Sequence, residues 1–189
     1  MSSRIIIERI SAEELLYKGA TAEDIAFVEQ FGAESRRREV LAWRGLLRRE
    51  LGEKCQISHD EYGAPKVDIP AIHISVSHSR ECVALVISDN PCAIDIESVE
   101  RDFCKVTRRY LSSSELQLAE QYDLFAEMWC AKEALYKLHS KGGLDFVKDI
   151  SIIDYKPSDG VLVTTILGGE PIEVQTLRKE GLVVAVIAN

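Results

Sequence analysis

Ile72-His73-Ile74-Ser75-Val76-Ser77-His78-Ser79-Arg80-Glu81-Cys82-Val83-Ala84-Leu85-Val86-Ile87-Ser88-Asp89-Asn90-Pro91-Cys92-Ala93-Ile94-Asp95-Ile96-Glu97 holds three strand signals in one run. From Ile72 to Ser77 the residues alternate, isoleucines and valine on one side, His73, Ser75 and Ser77 on the other. Cys82 to Ile87 is continuously apolar and reads as a buried strand. Asp89-Asn90-Pro91 supplies a turn. The third strand then puts Asp95 and Glu97 on one face, about 7 Å apart, with Ile94 and Ile96 on the opposite, buried face. Connections this short predict an antiparallel meander.

Working outward, Arg4 to Ile10 reads as a strand and Thr21 to Phe31 as a short helix with Thr21 as its N-cap. A second helix is expected from Ser35 to Leu51, where Val40, Trp43, Leu47 and Leu51 form an apolar face and Gly52 ends the helix. Cys55 to Ser58 reads as a short strand and Glu61 to Pro65 as a turn. Downstream, Ser112 and Glu115 have the spacing of a capping box. They open a helix expected to continue to His139 and to stop at Gly142-Gly143. Leu124, Met128, Ala131, Leu135 and Leu138 line one side of it; Phe125, Trp129 and Tyr136 line a second, shared with Glu133 and Lys137. A helix apolar on two sides is buried between layers. Four further strands are expected near 150–154, 161–167, 172–177 and 182–187. Strands and helices recur in both parts of the chain, which hints at two similar halves.

The 189 residues suffice for one domain or two small packed halves, and 46% hydrophobic content supports a real core. No apolar run of about 18 residues and no charged-then-apolar leader is present, so neither a membrane span nor a signal peptide is expected. Cys55, Cys82, Cys92, Cys104 and Cys130 are odd in number and show no CxxC spacing, which disfavours disulfides and zinc and leaves the cytosol as the default compartment. A net charge of −8 argues against general nucleic-acid binding. Yet Arg36, Arg37, Arg38, Arg44, Arg48 and Arg49 fall within fourteen positions and read as a cationic patch for an anionic ligand.

The side chains that could carry chemistry each have a plain alternative. Asp95 and Glu97 are either a solvated strand face or two oxygen ligands of Mg²⁺, because acids held side by side repel unless a cation compensates. Glu133 and Lys137 are either an i,i+4 helix pair or a metal ligand and a phosphate contact. Ser77-His78-Ser79 is either a polar turn or a phosphate-binding end of a strand; a nucleophilic serine–histidine pair is disfavoured, since adjacent strand residues face opposite ways. Arg36 to Arg38 lie in the first turn of a helix, where the dipole disfavours cations and favours a bound phosphate.

Together these segments resemble the 4′-phosphopantetheinyl transferases, particularly the larger pseudodimeric type. The family pattern of an Asp-x-Glu strand followed by Trp-x-x-Lys-Glu-x-x-x-Lys matches Ala93-Ile94-Asp95-Ile96-Glu97 and Trp129-Cys130-Ala131-Lys132-Glu133-Ala134-Leu135-Tyr136-Lys137. Tyr62-Gly63-Ala64-Pro65 and Ser77-His78-Ser79 are similar to its Gly-Lys-Pro and Ser-His-Ser segments. The resemblance implies an α+β fold of two similar halves, residues 1–98 and 99–189, each with a mainly antiparallel sheet and a long packed helix. The site would lie in the cleft between them. It implies transfer of phosphopantetheine from coenzyme A to a serine of an apo acyl or peptidyl carrier protein by a cytoplasmic monomer, with no nucleic acid or membrane involved.

By motif position, Asp95, Glu97 and Glu133 would hold Mg²⁺, and Glu133, Lys132 and Asp95 would serve catalysis. Arg36, Arg37, Arg38, Lys66, Ser77, His78 and Lys137 would hold coenzyme A, and Glu115 matches an acid of the family. Two positions depart from the pattern: Ala93 replaces the usual glycine, and Ala64 replaces the lysine of Gly-Lys-Pro, with Lys66 as its substitute. The second departure motivates an alternative, a catalytically impaired module that binds coenzyme A or carrier protein. A Mg²⁺-dependent phosphohydrolase is disfavoured, since no phosphate-cradling glycine loop is visible.

Overall fold

Strand β1 (Arg4–Arg9) leads to helices α1 (Ala22–Val28) and α2 (Glu34–Leu51), and then to a small hairpin of β2 (Ile57–His59) and β3 (Pro65–Val67). Strands β4 (His73–Ser79), β5 (Cys82–Ser88) and β6 (Cys92–Ser98) follow. A 3₁₀ segment (Phe103–Arg109) and helices α3 (Ser113–Tyr122) and α4 (Phe125–His139) come next, before β7 (Ile150–Lys156), β8 (Val161–Ile166), β9 (Ile172–Lys179) and β10 (Leu182–Ala188). The computed structural model describes residues 3–10, 19–79 and 82–188. The fold is α+β and its strand pairs are antiparallel. No helix among the described residues is long and apolar enough to cross a membrane.

The helix signals work locally. Thr21 Oγ1 accepts from Asp24 N while Asp24 Oδ2 accepts from Thr21 N, so both ends of the capping box are made. Ser112 and Glu115 repeat the arrangement at the start of α3. Val40, Trp43 and Leu47 of α2 are buried on β5 residues Val83, Leu85 and Ile87. Gly52 ends the helix at a φ of 100°, a conformation open to glycine without a Cβ penalty. The single helix expected from Ser112 to His139 is instead two. Asp123 adopts a left-handed conformation, φ 55° and ψ 51°, and its N–H bonds back to Ala119 O. Aspartate tolerates that conformation better than most residues, so the chain turns while the apolar stripe runs on.

The meander is corrected in its third strand. β4 and β5 pair as expected, with β1 on the far side of β5, giving the order β1-β5-β4. β6 leaves that sheet and pairs with β10, some ninety residues on, at the edge of a second sheet of order β6-β10-β9-β8-β7. A division of the chain after residue 98 therefore separates β6 from the sheet to which it is hydrogen bonded.

What joins the two sheets is a row of serine hydroxyls. Ile94 N donates to Ser75 Oγ at 3.2 Å and Ile96 N to Ser77 Oγ at 3.3 Å, so β4 and β6 advance side by side in the same direction. These hydroxyls satisfy backbone donors that an edge strand otherwise leaves open. β5 is buried along its whole length: Val83, Leu85 and Ile87 meet α2, while Cys82, Ala84 and Val86 meet Ile94, Ile96 and Val184. The opposite face of β6 carries Ala93 against α4, in the core of the five-stranded sheet.

Candidate active site

Because Ile94 and Ile96 are committed to the β5 side, the strand period turns Asp95 and Glu97 toward α4 and an open cleft of about 680 Å³. The cleft is walled by α2, the β2–β3 turn, β4, β6 and α4, and both Glu133 and Lys137 of α4 line it. Asp95 is its buried centre. Its Oδ1 accepts from Ser77 Oγ at 2.7 Å and from Lys137 Nζ at 2.8 Å, and Lys137 Nζ also donates to Ile94 O. Its Oδ2 is buried without a conventional hydrogen bond, and the buried Cys130 thiol is the further group that interacts with the carboxylate. A buried oxygen of this kind costs free energy that a cation would recover.

The acids around it respond to one another. Burial raises Glu133 above the ordinary carboxylate range, the charges of Asp95 and Glu97 add to the rise, and Lys137 and Arg101 oppose it. Burial also raises Glu97, with Asp95 adding to it, against Arg101 and the Trp129 indole. Arg101 pairs with Glu97 and lies over the Trp129 ring, 4.6 Å from its centroid. Among the described residues, no three histidine, cysteine, aspartate or glutamate side chains are already gathered around a metal position. Three carboxylates lining one cleft, one with an unpaired buried oxygen and two pushed toward protonation, nevertheless form an all-oxygen donor set of the chemistry a hard cation takes.

On the other side, Arg36 of α2 and His78 of β4 both line the cleft, with Arg36 Nη1 donating to His78 Nε2 at 2.5 Å. Burial lowers His78; Arg36 and Lys137 add to that effect, and Glu39 and Asp95 oppose it. Ser77 is brought to the site as a support for Asp95, buried in the seam with β6.

Other expected site residues lie elsewhere. Arg37 Nε bonds Phe31 O at 2.6 Å and so ties down the loop before α2, and neither it nor Arg38 lines the cleft. Lys66 lies on β3 beside Asp60 and lines a neighbouring cavity of about 460 Å³, which shares Ala64 and Pro65 with the main cleft. Lys132 is turned away and wholly buried, its Nζ donating to Glu115, Phe146 O and Ile150 O. Glu115 is thus the partner of Lys132 as well as the cap of α3.

The expected arginine patch is dispersed. Arg44 and Arg48 are buried against Asp24 of α1, at 2.6 and 2.5 Å, and Arg49 pairs with Glu8 of β1. Of that run only Arg36 reaches the cleft. Sequence reasoning also passed over Arg101, Trp43, His59 and Tyr136, which all line it. Arg101 carried a signal, standing four residues after Glu97; the aromatic residues carried only their apolar spacing.

Similarity to known proteins falls on the part of the chain that carries β6 and α4. The model of the 4′-phosphopantetheinyl transferase superfamily matches residues 91–187, more than half the chain, from the start of β6 to the end of β10. The chain is 35% identical over 89 residues to the 4′-phosphopantetheinyl transferase gsp of Aneurinibacillus migulanus, covering 44% of this chain and 37% of that protein. It is 29% identical over 123 residues to the 4′-phosphopantetheinyl transferase of Bacillus subtilis, covering 61% and 54%. To the 4′-phosphopantetheinyl transferase psf-1 of Bacillus pumilus it is 34% identical over 87 residues, covering 42% and 37%. The matched part spans between a third and just over half the length of these relatives. The strand with its two acids and the helix with its Lys-Glu pair both fall inside the matched residues, and the chain belongs to the 4′-phosphopantetheinyl transferase superfamily.

Proposed function

We propose that this cleft transfers the 4′-phosphopantetheinyl group of coenzyme A to a serine of an apo acyl or peptidyl carrier protein, releasing 3′,5′-adenosine bisphosphate. The observation that carries the reading is Asp95. One of its oxygens is held by Ser77 and Lys137, the other is buried without a conventional hydrogen bond, and its charge adds to the rise of two cleft acids that burial has raised. Family membership and the names of the relatives support the same reaction class.

In this reading Asp95, Glu97 and Glu133 are the residues that would hold Mg²⁺, which supplies neutralisation of the pyrophosphate charge when bound. Lys137 and Arg36 bring positive charge to the same anion from opposite walls. The serine Oγ forms a bond to the pantetheine-bearing phosphorus as the bond to the bisphosphate oxygen breaks. Glu133 takes the serine proton, as the carboxylate of the cleft placed on the helix side of the metal ligands. The protein acts as a cytoplasmic monomer, and Lys66 stands in for the lysine that Ala64 replaces.

The test is incubation with coenzyme A, Mg²⁺ and a panel of apo carrier proteins, read by intact-mass spectrometry. A gain of one phosphopantetheine on a carrier serine supports the proposal. Tight coenzyme A binding with no gain on any carrier would favour a binding module instead.

A further inference from the structure

Behind the cleft wall sits a carboxylate that no motif singles out. Glu39 of α2 does not line the cleft, yet its Oε2 lies 3.3 Å from His78 Nδ1 and 3.5 Å from Arg36 Nη1, the two groups that do. Its side chain is only 19% exposed, so the contact is partly shielded from solvent. The tautomer follows from chemistry. A guanidinium has no acceptor, so the 2.5 Å contact from Arg36 Nη1 requires His78 Nε2 to be the acceptor and unprotonated. The single ring proton then sits on Nδ1, the nitrogen nearest Glu39.

This arrangement changes when an anion arrives. A phosphate oxygen at the wall needs donors from both Arg36 and His78, but Nε2 has no proton to give. Switching to the Nε2–H tautomer would set the bare Nδ1 lone pair against the Glu39 carboxylate 3.3 Å away, so Nε2 gains a donor by a second protonation, and the imidazolium is then flanked by phosphate on one side and Glu39 on the other. The other charged groups that act on the ring are Lys137 of α4, which opposes protonation, and Asp95 of β6, which favours it. Without a ligand, burial and the neighbouring cations keep the ring neutral at physiological pH.

Resting on the proposed coenzyme A site, we infer that Glu39 is a positioning residue: it fixes the Nδ1–H tautomer of His78 and lets the cleft take up one proton as it binds a phosphate. Nothing covalent changes in this step; one proton moves from solvent to Nε2.

Two measurements test it. Histidine ¹⁵N–¹H spectra of the free protein at pH 7.5 should show His78 as the Nδ1–H tautomer, and Glu39→Gln should shift it toward a mixture. An Nε2–H tautomer in the wild type overturns the inference whether or not the protein transfers phosphopantetheine. Titration calorimetry with 3′,5′-adenosine bisphosphate, in two buffers of different ionisation enthalpy, should show uptake of about one proton per ligand. Glu39→Gln should cut the uptake by at least half and flatten the pH dependence of Kd, which for one coupled proton is about tenfold per pH unit. Glu39→Asp should restore part of both. Unchanged uptake in Glu39→Gln, with a native melting temperature, also overturns the inference. A wild type with the expected tautomer but no transfer on any carrier would fail the proposed function alone.

Discussion

Replacing Lys132 by Met separates a structural lysine from a catalytic one. The ammonium has three donors, and all three are used inside the protein: Glu115, Phe146 O at 2.7 Å and Ile150 O at 2.8 Å. Both charged partners are buried, Lys132 fully and Glu115 to within 3% of its surface. Methionine fills much the same volume, so little packing is lost. What remains is a buried carboxylate without its counter-charge and two carbonyls without donors. Breaking a buried pair on one side costs about 3–5 kcal/mol, and in a chain of this size each kcal/mol lowers Tm by about 2–4 °C. The expected fall is therefore on the order of 6–20 °C. Glu115→Ala should cost at least as much, because Glu115 also accepts from Ser112 N and Ile152 N. The double variant should show coupling of about 0.5–3 kcal/mol. Urea unfolding followed by tryptophan fluorescence gives these values, and coenzyme A binding measured well below Tm should stay near wild type. An unchanged unfolding midpoint with transfer abolished would refute the assignment and return Lys132 to the chemistry.

Asp24→Asn should lower stability by about 3–5 kcal/mol at pH 7, since Arg44 and Arg48 keep their buried charges. Burial pushes Asp24 up, but Arg48, Thr21 and Arg44 outweigh it and hold it well below the usual carboxylate range. A depressed folded pKa gives stability that is present above about pH 4 and lost as pH falls. Acid unfolding should accordingly show a loss between pH 4 and pH 2 that Asp24→Asn lacks. Glu97 and Glu133 have the opposite sign: their folded values are raised, so stability is lost as pH climbs past the ordinary carboxylate value. Mg²⁺ should therefore raise Tm at pH 7.5 more than at pH 5, and Glu133→Gln should raise Tm at pH 7.5 without Mg²⁺ and blunt its response to the ion; equal shifts at both pH values count against a carboxylate site. Ser77→Ala strips Asp95 Oδ1 of one donor and Ile96 N of its acceptor, and should cost about 1–3 kcal/mol in unfolding experiments.

The legibility of the sequence followed the range of the interactions. Capping at Thr21 and Ser112, the face of α2 and the alternation of β4 are set by neighbours a few residues apart, and all were readable. The pairing of β6 with β10 was not, because a strand pattern states which face is buried and never which strand lies alongside. Ser75 and Ser77 concealed this further: they read as the polar side of a strand, whereas their hydroxyls make the seam between the sheets. The arginine cluster misled for a related reason. Arg44 and Arg48 answer to Asp24, a single buried acid on another helix, and charge density along the chain cannot reveal such a partner. Strand and helix periods put Asp95 with Glu97 on one face and Glu133 with Lys137 on another; that the two faces meet was implied by the family resemblance and not by the periods. Glu39 meets His78 only through the fold, whereas Arg101 carried one local signal, its four-residue spacing from Glu97.

The most direct test is the mass of a carrier protein. With coenzyme A and Mg²⁺, the wild-type protein should convert an apo carrier to its phosphopantetheinylated form. Asp95→Asn and Glu133→Gln, folded by circular dichroism, should leave it apo over the same interval. Undiminished conversion by both variants would contradict the account, since the chemistry would then lie outside the cleft carboxylates Asp95 and Glu133.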